Sequence, residues 1–215
     1  MSTLPVIAID GPAASGKGTI ARRIAAALGF AHLDTGTLYR VVGLSVLRKG
    51  GDPADPRAAK GAVESLDLSL LEDPALRAHS TGVAASKVAT ISSVREALLS
   101  FQRDFAAHPP GGTGAVLDGR DIGTVICPGA TVKLFVTAAP EARAHRRFLE
   151  LTTDGSLITE AEVLADIRAR DARDSERAVA PLKQARDAHL LDTTHLDIEA
   201  ATVRALDIVL AVLRT

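Results

Sequence analysis

Short apolar runs alternate with amphipathic segments along most of the chain. Four apolar residues at 6–9 precede a glycine-flanked loop, and apolar residues then recur at helical spacing from Ile20 to Leu28, before Gly29. The other short apolar runs lie at 30–34, 115–118, 131–136 and 189–192. Runs buried on both faces are typical of parallel strands, and their alternation with helices indicates βαβ units. The pattern therefore predicts an α/β fold with a five-stranded parallel sheet flanked by helices.

Helical spacing of apolar residues predicts the longer elements between these runs. We expect a helix from about Thr37 to the glycines at 50–51, and a long helix from Gly82 to Ala107, interrupted near Ser92. Three later helices are predicted: one opened by Pro140 and running through Leu151, one with Thr159 as N-cap and Glu162 as its capping-box partner, and one from Ile198 to Leu213.

The stretch from Asp52 to Thr81 carries the weakest pattern. Asp-Pro steps at 52–53 and 55–56 mark turns, and the alternation from Leu66 to Leu70 predicts a brief strand. We expect one domain over residues 1–215 and place an inserted lobe at residues 50–106.

The loop after the first predicted strand has the composition of a phosphate-binding site. Residues Gly11 to Lys17 match G-x-x-x-x-G-K, in which backbone N–H groups and a helix N-terminus surround a polyphosphate and the lysine reaches its outer phosphates. Position 18 is Gly instead of the usual Ser or Thr, so Thr19 would supply the hydroxyl that faces Mg²⁺. A simple turn before a surface helix is the alternative. The strand before the loop and the helix after it favour the phosphate site.

Composition narrows the classes of partner and compartment. The 215 residues carry a formal net charge of −1, which predicts no interaction with nucleic acid or an anionic membrane. A single cysteine, Cys127, fits a reducing compartment, and the first residues lack the basic and apolar regions of a signal peptide. The six histidines form no ligand-spaced cluster, and we assign them no chemistry. We expect a cytoplasmic protein with a small anionic ligand.

Polar residues follow three of the predicted strands, at Asp10-Gly11, Asp34-Thr35 and Asp118-Gly119. In parallel sheets, ligands bind beyond the carboxyl ends of the strands, so these residues should share one rim. Arg120 and Asp121 come directly after the third. Asp118 could act as the carboxylate nearest Mg²⁺, and Asp10 is the rival.

Arginines crowd the predicted helix that starts near Thr159. As a plain charge run, they would form an exposed face with ion pairs worth a few tenths of a kcal/mol each. However, the three- and four-residue spacing of Arg170, Arg173 and Arg177 places them on one stripe, with Asp174 between them. Such a stripe beside a phosphate site favours binding over solvation.

Five segments carry a pattern that extends beyond the phosphate-binding loop itself: Gly11–Thr19, Leu33–Arg40, Val94–Leu98, Asp118–Val125 and Arg170–Leu182. Together they resemble the bacterial cytidylate kinases, which are nucleoside monophosphate kinases with a phosphate-binding loop. They span nearly the whole chain in the family's order. The DGRDIGTV and RDARDSERAVAPL segments are far more specific than the loop. The resemblance implies transfer of a phosphoryl group from ATP, with Mg²⁺, to CMP or dCMP.

The resemblance also implies a role for individual residues. The ATP phosphates would be held by Gly11, Pro12, Ala13, Ala14, Ser15, Gly16, Lys17, Gly18 and Thr19. The acceptor would be contacted by Thr35, Arg40, Ser86, Arg95, Arg120, Asp121, Arg170, Asp174 and Arg177, with Ser86, Arg95 and Asp121 reading the cytosine. Arg143, Arg146 and Arg147 fall in a lid region at residues 143–158, where Arg146 would contact ATP. We assign catalysis to Lys17, Arg120, Arg170 and Arg173, and metal binding to Thr19 and Asp118.

One departure from the family pattern concerns the acceptor lobe. Many members carry a longer insert with a small sheet after the position of Leu66–Leu68, and residues 72–80 match no part of it. Kinases of UMP, AMP or shikimate remain alternatives, as does a nucleotide-binding module without turnover. We expect a monomer whose partners are ATP, CMP and dCMP.

Overall fold

A parallel sheet forms the centre of the computed structural model, which describes residues 4–153 and 157–214. The strands are β1 (Val6–Asp10), β2 (Ala31–Asp34), β3 (Ala115–Gly119), β4 (Val132–Thr137) and β5 (His189–Asp192), in the order β2-β3-β1-β4-β5. The predicted α/β class and the five parallel strands are confirmed. Because β1 lies between β3 and β4, its carboxyl end is where the connections diverge to both sides, the place at which such sheets bind ligands.

Eight α-helices are present in the described part of the chain. They are α1 (Lys17–Leu28), α2 (Thr35–Arg48), α3 (Pro56–Glu64), α4 (His79–Val88), α5 (Ser92–Ala107), α6 (Pro140–Thr153), α7 (Glu160–Glu176) and α8 (Ile198–Leu213). The capping box of Thr159 and Glu162 forms as predicted at the start of α7. None of these helices is both long enough and apolar enough to cross a bilayer.

Five apolar clusters lie in the described part of the chain, and three of them form the sheet core and the core beside it. One packs α1 and α8 against β1, β4 and β5, and another packs α5 and residues 122–126 against the opposite face. The third lies away from the sheet, among α2, α3, α4 and α5, within residues 50–106 and the preceding helix. The acceptor lobe that we predict thus has an apolar core of its own.

The structure differs from the predicted elements at three places. The brief strand predicted at Leu66–Leu70 is wrong: two short 3₁₀ turns, Leu68–Glu72 and Pro74–Arg77, occupy this region. Each starts because an aspartate accepts the backbone N–H two residues on, Asp67 from Ser69 and Asp73 from Ala75. The long helix begins at His79 instead of Gly82, and α2 begins at Thr35 instead of near Thr37. The interruption predicted near Ser92 is confirmed, because α4 ends at Val88 and α5 begins at Ser92.

The predicted lid, residues 143–158, covers all but the first three residues of α6 and continues beyond its end. Residues 154–156 lie outside the described part of the chain. Its bounds, like those of the acceptor lobe, stay predictions.

Candidate active site

The phosphate-binding loop connects β1 to α1, and α1 begins at Lys17. The backbone at Gly11 passes so close to β4 that a Cβ there would lie 2.0 Å from the Val136 carbonyl oxygen, so only glycine fits. Arg143 supports the loop from the other side, because its Nη1 donates to the Ala13 carbonyl at 3.2 Å while both Nη atoms bond to Asp171. Arg143 is buried, so it acts as a fixed support of the loop, unlike a lid arginine.

A cleft of about 190 Å³ opens beside this loop at the carboxyl ends of the strands. It is lined by every residue predicted to contact the acceptor, namely Thr35, Arg40, Ser86, Arg95, Arg120, Asp121, Arg170, Asp174 and Arg177, and by Lys17, Gly18 and Asp118. Side chains from β3, α2, α4, α5 and α7 therefore meet around one cavity. We call it the acceptor cleft.

One end of the acceptor cleft is built from buried ion pairs. Asp121 Oδ2 accepts from Arg95 Nη2 at 2.5 Å, and Asp121 Oδ1 lies 3.5 Å from Arg177 Nη2. The Arg95 guanidinium lies 5.8 Å from the ring centre of Tyr39, within cation–π range. Burial raises the pKa of Asp121, although the guanidinium groups of Arg95 and Arg177 oppose this shift.

A second ion pair lies between the two ends of the cleft. Arg120 Nε donates to Asp174 Oδ2 at 2.7 Å, and both side chains are largely buried. Burial acts to raise the pKa of Asp174, but Arg120 and Arg170 outweigh it and hold that pKa below its usual value. Helix α7 ends at Glu176, so Arg177 lies one residue beyond the helix on which we predicted it.

The other end of the cleft gathers cations that have no carboxylate within ion-pair distance among the described residues: Lys17, Arg40 and Arg170. Burial and, after it, the charge of Arg120 lower the pKa of Lys17 to about 8. The same two causes lower the pKa of Arg170, whose Nε is buried without a hydrogen-bond partner in the described structure. Partly buried cations with lowered pKa values and unused donors form an anion site.

The neighbouring arginines of α7 have different surroundings. Arg173 Nε donates to Ser86 Oγ at 3.2 Å and lines an adjoining cavity of about 330 Å³, next to the acceptor cleft. Arg168 points away from both cavities and pairs with Glu141 at 2.9 Å on the surface. Arg168 therefore fits the interpretation of a plain surface charge, whereas Arg170, Arg173 and Arg177 line the cavities.

Asp10 and Asp118, the two carboxylates considered as the one nearest Mg²⁺, have different surroundings in the structure. Both oxygens of Asp10 accept backbone N–H groups at 2.8 Å, from Ile122 and from Gly123, and burial raises its pKa to about 6. Asp118 instead lies across from the first turn of α1, where a Cβ on Gly18 would be 3.7 Å from its Oδ1. Asp118 is thus the carboxylate that faces the phosphate-binding loop.

Comparison with known proteins identifies the family. The sequence model of the cytidylate kinase family matches residues 7–210. The chain belongs to this family. It is 58% identical over 207 residues to a cytidylate kinase of Bradyrhizobium sp. strain ORS 278, covering 96% of each chain. It is 59% identical over 204 residues to a cytidylate kinase of Rhodospirillum rubrum, covering 94% of this chain and 96% of that protein. The resemblance predicted from the motifs is confirmed.

Structural comparison supports the fold of this cytidylate kinase family member. An uncharacterized protein from Eubacterium ventriosum matches 94% of this chain and 98% of its own, with a TM-score of 0.54 at 13% identity. At that identity the likeness concerns the fold alone.

A third cavity, of about 290 Å³, lies on the other side of the phosphate-binding loop in this kinase fold. Thr19, Arg146, Leu196 and Ile198 are among its lining residues. Arg146 is fixed there, since it donates to the Thr193 carbonyl at 2.5 Å and to the Leu196 carbonyl at 3.3 Å. Thr19 and Arg146, both predicted to contact ATP, therefore share a cavity that opens beside the loop.

Sequence reasoning missed three residues of this kinase site: Tyr39, Asp171 and His32. His32 Nε2 lies 2.8 Å from Asp118 Oδ2. A signal was present, because β2 pairs with β3 so that Asp34 is opposite Asp118. His32 is two residues earlier on the same face, which brings its ring to that carboxylate. Nothing comparable indicated Asp171, whose partner is on another helix.

Proposed function

We propose that this chain transfers the γ-phosphoryl group of ATP to the 5′-phosphate of CMP or dCMP, releasing ADP and CDP or dCDP. The observation that carries the proposal is the polarity of the acceptor cleft. Asp121, flanked by two arginines, lies at one end, and the unpaired cations Lys17, Arg40 and Arg170 lie at the other. A pyrimidine nucleotide has its hydrogen-bonding base and its phosphate at opposite ends in the same way.

At the base end, Asp121 accepts a hydrogen bond from the exocyclic amine of cytosine, a donor that uracil lacks. Arg95 and Arg177, which already contact Asp121, offer further N–H donors to the ring nitrogen and carbonyl of the base. Ser86 adds a hydroxyl whose oxygen is held by Arg173. Asp174, held by Arg120, is the acceptor for ribose hydroxyl groups.

At the phosphate end, the transfer is a direct in-line displacement. An oxygen of the CMP phosphate forms a bond to the γ-phosphorus while the bond from that phosphorus to the β–γ bridging oxygen breaks, and the electron pair leaves with ADP. Lys17, Arg40, Arg120 and Arg170 neutralise the two approaching anions and the charge on the moving group. Arg173 of α7 contacts Ser86 of α4 and positions the acceptor through it. With Lys17, Arg120 and Arg170 it makes up the catalytic set that we predict.

The residues near the loop fit a Mg²⁺ ion that is held chiefly by phosphates and water. No group of three or more His, Cys, Asp or Glu side chains able to hold a metal occurs in residues 4–153 and 157–214. Mg²⁺ in kinases needs only one or two carboxylates beside the nucleotide phosphates. We propose that Thr19 and Asp118 hold it, where it would neutralise charge between the phosphates of ATP.

On the donor side, the N–H groups of Gly11 to Thr19 hold the ATP phosphates, and the cavity beside Thr19 and Arg146 takes the nucleoside. Residues 143–158 act as the lid, in which Arg143 stays fixed as the support of the loop, and residues 50–106 act as the acceptor lobe. Closure of both excludes water that could otherwise hydrolyse ATP. We infer a monomeric enzyme of the cytoplasm, where its nucleotide substrates occur.

Initial rates with CMP, dCMP, UMP, AMP and shikimate, at fixed ATP and Mg²⁺, test the proposed function. We expect CMP and dCMP to exceed the other acceptors in kcat/KM by at least about tenfold, the discrimination that one good base contact supplies. Preference for another acceptor would overturn the assignment of Asp121 as the base reader. ATP consumption that no acceptor changes would identify a nucleotide-binding module instead.

A further inference from the structure

The segment that departs from the family pattern is fastened at three points, two on α2 and one on α4. Leu76, in the second 3₁₀ turn, is buried against Val41 and Leu44. Asp73, which caps this turn, also pairs with Arg48 Nη2 at 2.5 Å. From α4, the Thr81 hydroxyl donates to the Ala75 carbonyl at 2.7 Å. The turn at Pro74–Arg77 is therefore held from both of the helices that flank it.

The same turn contacts Arg40, one of the unpaired cations at the phosphate end of the acceptor cleft. Arg40 Nη1 donates to the Leu76 carbonyl oxygen at 2.7 Å. On its other side the guanidinium rests against Gly82 of α4, where a Cβ would lie 3.2 Å from Nη2 and 3.3 Å from Nη1. The Leu76 carbonyl and the bare backbone of Gly82 together define where this guanidinium lies.

The chemical nature of this support differs from that of Arg120. A carboxylate, Asp174, holds Arg120 and cancels much of its charge. The Leu76 carbonyl is neutral, so it fixes the Arg40 guanidinium while leaving its positive charge available to a ligand. A guanidinium has five N–H donors, and one carbonyl occupies only one of them. Nearby cations repel Arg40, and burial and the charge of Arg147 both lower its pKa.

We propose that the turn at Pro74–Arg77, with Gly82, is a positioning device for Arg40 that sets the affinity of the enzyme for the acceptor phosphate. The turn makes its contact through the Leu76 carbonyl, and Asp73 holds that carbonyl in place. This inference rests on the proposed function, because it takes Arg40 to bind the acceptor.

A double-mutant cycle between Asp73 and Arg40 tests the device. Asp73→Ala removes the cap of the turn and its pair with Arg48. We expect a fall of about tenfold in kcat/KM for CMP, through a higher KM, with the KM for ATP changed less than about twofold. In an Arg40→Met background, the same Asp73→Ala change should alter kcat/KM for CMP by less than about twofold, because the group that it positions is gone.

Two matched controls separate positioning from general damage to the lobe. Asp67→Ala removes the cap of the neighbouring 3₁₀ turn, Leu68–Glu72, whereas Arg40 donates to Leu76 in the other turn. It should leave the KM for CMP within about twofold of the unaltered chain. Gly82→Ala leaves both caps intact but displaces the guanidinium, so it should raise the KM for CMP. Gly61→Ala is its control, because a Cβ on Gly61 of α3 meets nothing within 4 Å.

The outcomes distinguish this inference from the proposed function. Equal losses from Asp73→Ala in both backgrounds, or a normal KM for CMP in Gly82→Ala, would overturn the positioning role alone. If Asp73→Ala does not fold, the comparison of Gly82→Ala with Gly61→Ala, with and without Arg40→Met, decides the question. No CMP-dependent turnover by the unaltered chain would overturn the proposed function as well.

Discussion

The two ends of the acceptor cleft use the same kind of side chain in opposite ways. At the Asp121 end, Arg95 and Arg177 share a carboxylate, and between the two ends Arg120 is paired with Asp174. At the Lys17 end, the cations lack carboxylate partners within ion-pair distance in the part of the chain that the structure describes. The paired arginines have fixed positions, and the two carboxylates offset most of their charge, whereas no carboxylate within ion-pair distance offsets the charge of the unpaired cations.

This difference matches what each end must recognise. A neutral base is distinguished by the direction of its donors and acceptors, so the groups that read it need fixed geometry more than charge. A phosphate is an anion in any orientation, and a concentration of positive charge attracts it and stabilises it during transfer. In the free chain, burial and then the charge of Arg120 disfavour the charged forms of Lys17 and Arg170, which lowers the pKa values of both.

Removal of a charge from the unpaired end should have the largest effect. We expect Lys17→Met to lower kcat about 10³-fold, because it removes a charge partner of the transition state from a dry site. The fold should remain, as judged by circular dichroism and thermal unfolding. Lys60→Met is the matched control, since Lys60 is an exposed lysine of α3 whose partner, Glu64, lies 3.7 Å away. A near-normal rate for Lys17→Met would contradict the role of the loop.

A change at the paired end should alter selectivity more than rate. Asp121→Asn should lower the ratio of kcat/KM for CMP to that for UMP by about 10- to 100-fold, because an amide no longer offers two acceptor oxygens. The variant also leaves Arg95 and Arg177 without their carboxylate, so its stability should fall by about 3 kcal/mol. Steady-state kinetics with both acceptors below the melting temperature measure the ratio. Equal losses for CMP and UMP would show that Asp121 is structural.

The sequence was enough to predict the local elements of the fold, but not the charge pairs of the acceptor cleft. The apolar runs and the capping box predicted the sheet and helices α7 and α8, because burial on a sheet and local capping act over a few residues. Parallel strands end at one edge, which predicted where Asp118 and Arg120 would lie. The charge pairing of the cleft could not be predicted, because Arg120 and Asp174 are 54 positions apart and Arg95 and Asp121 are 26 apart. Such pairs depend on how α5 and α7 pack against the sheet.

The short turns at Leu68–Glu72 and Pro74–Arg77 teach the opposite lesson about local sequence. Leu66 to Leu70 alternates like a strand, but Asp67 and Asp73 bond to backbone N–H groups two residues on. These bonds stabilise turns over an extended strand. Asp67 and Asp73 are visible in the sequence. The strand prediction was wrong because it gave more weight to the apolar alternation than to these turn-forming aspartates.

Asp10 is a buried carboxylate that backbone N–H groups hold, whereas arginines hold Asp121 and Asp174. Its pKa of about 6 in the folded chain exceeds the ordinary 3.8, so the folded state binds the proton more tightly. Stability from this group is therefore complete below about pH 4 and is lost as the pH rises through 6. Relative to Asp10→Asn, the unaltered chain should lose about 2 kcal/mol of unfolding free energy between pH 4.5 and pH 7. Urea denaturation of both proteins measures this difference, and a constant difference across that range would contradict the raised pKa.

The smallest effect that we expect concerns the protonation of Lys17. Its pKa of about 8 in the free chain means that the cation is lost as the pH rises above 8. The kcat/KM for ATP, which reports on the free enzyme, should fall about tenfold between pH 7 and pH 9. The bound phosphates restore the charge, so kcat should hold to a higher pH. The phosphates themselves titrate near pH 6 and stay fully ionised across this range. A kcat/KM that is level to pH 9 would mean that carboxylates such as Asp34 and Asp118 keep Lys17 charged, and that the two ends of the cleft differ less than their contacts indicate.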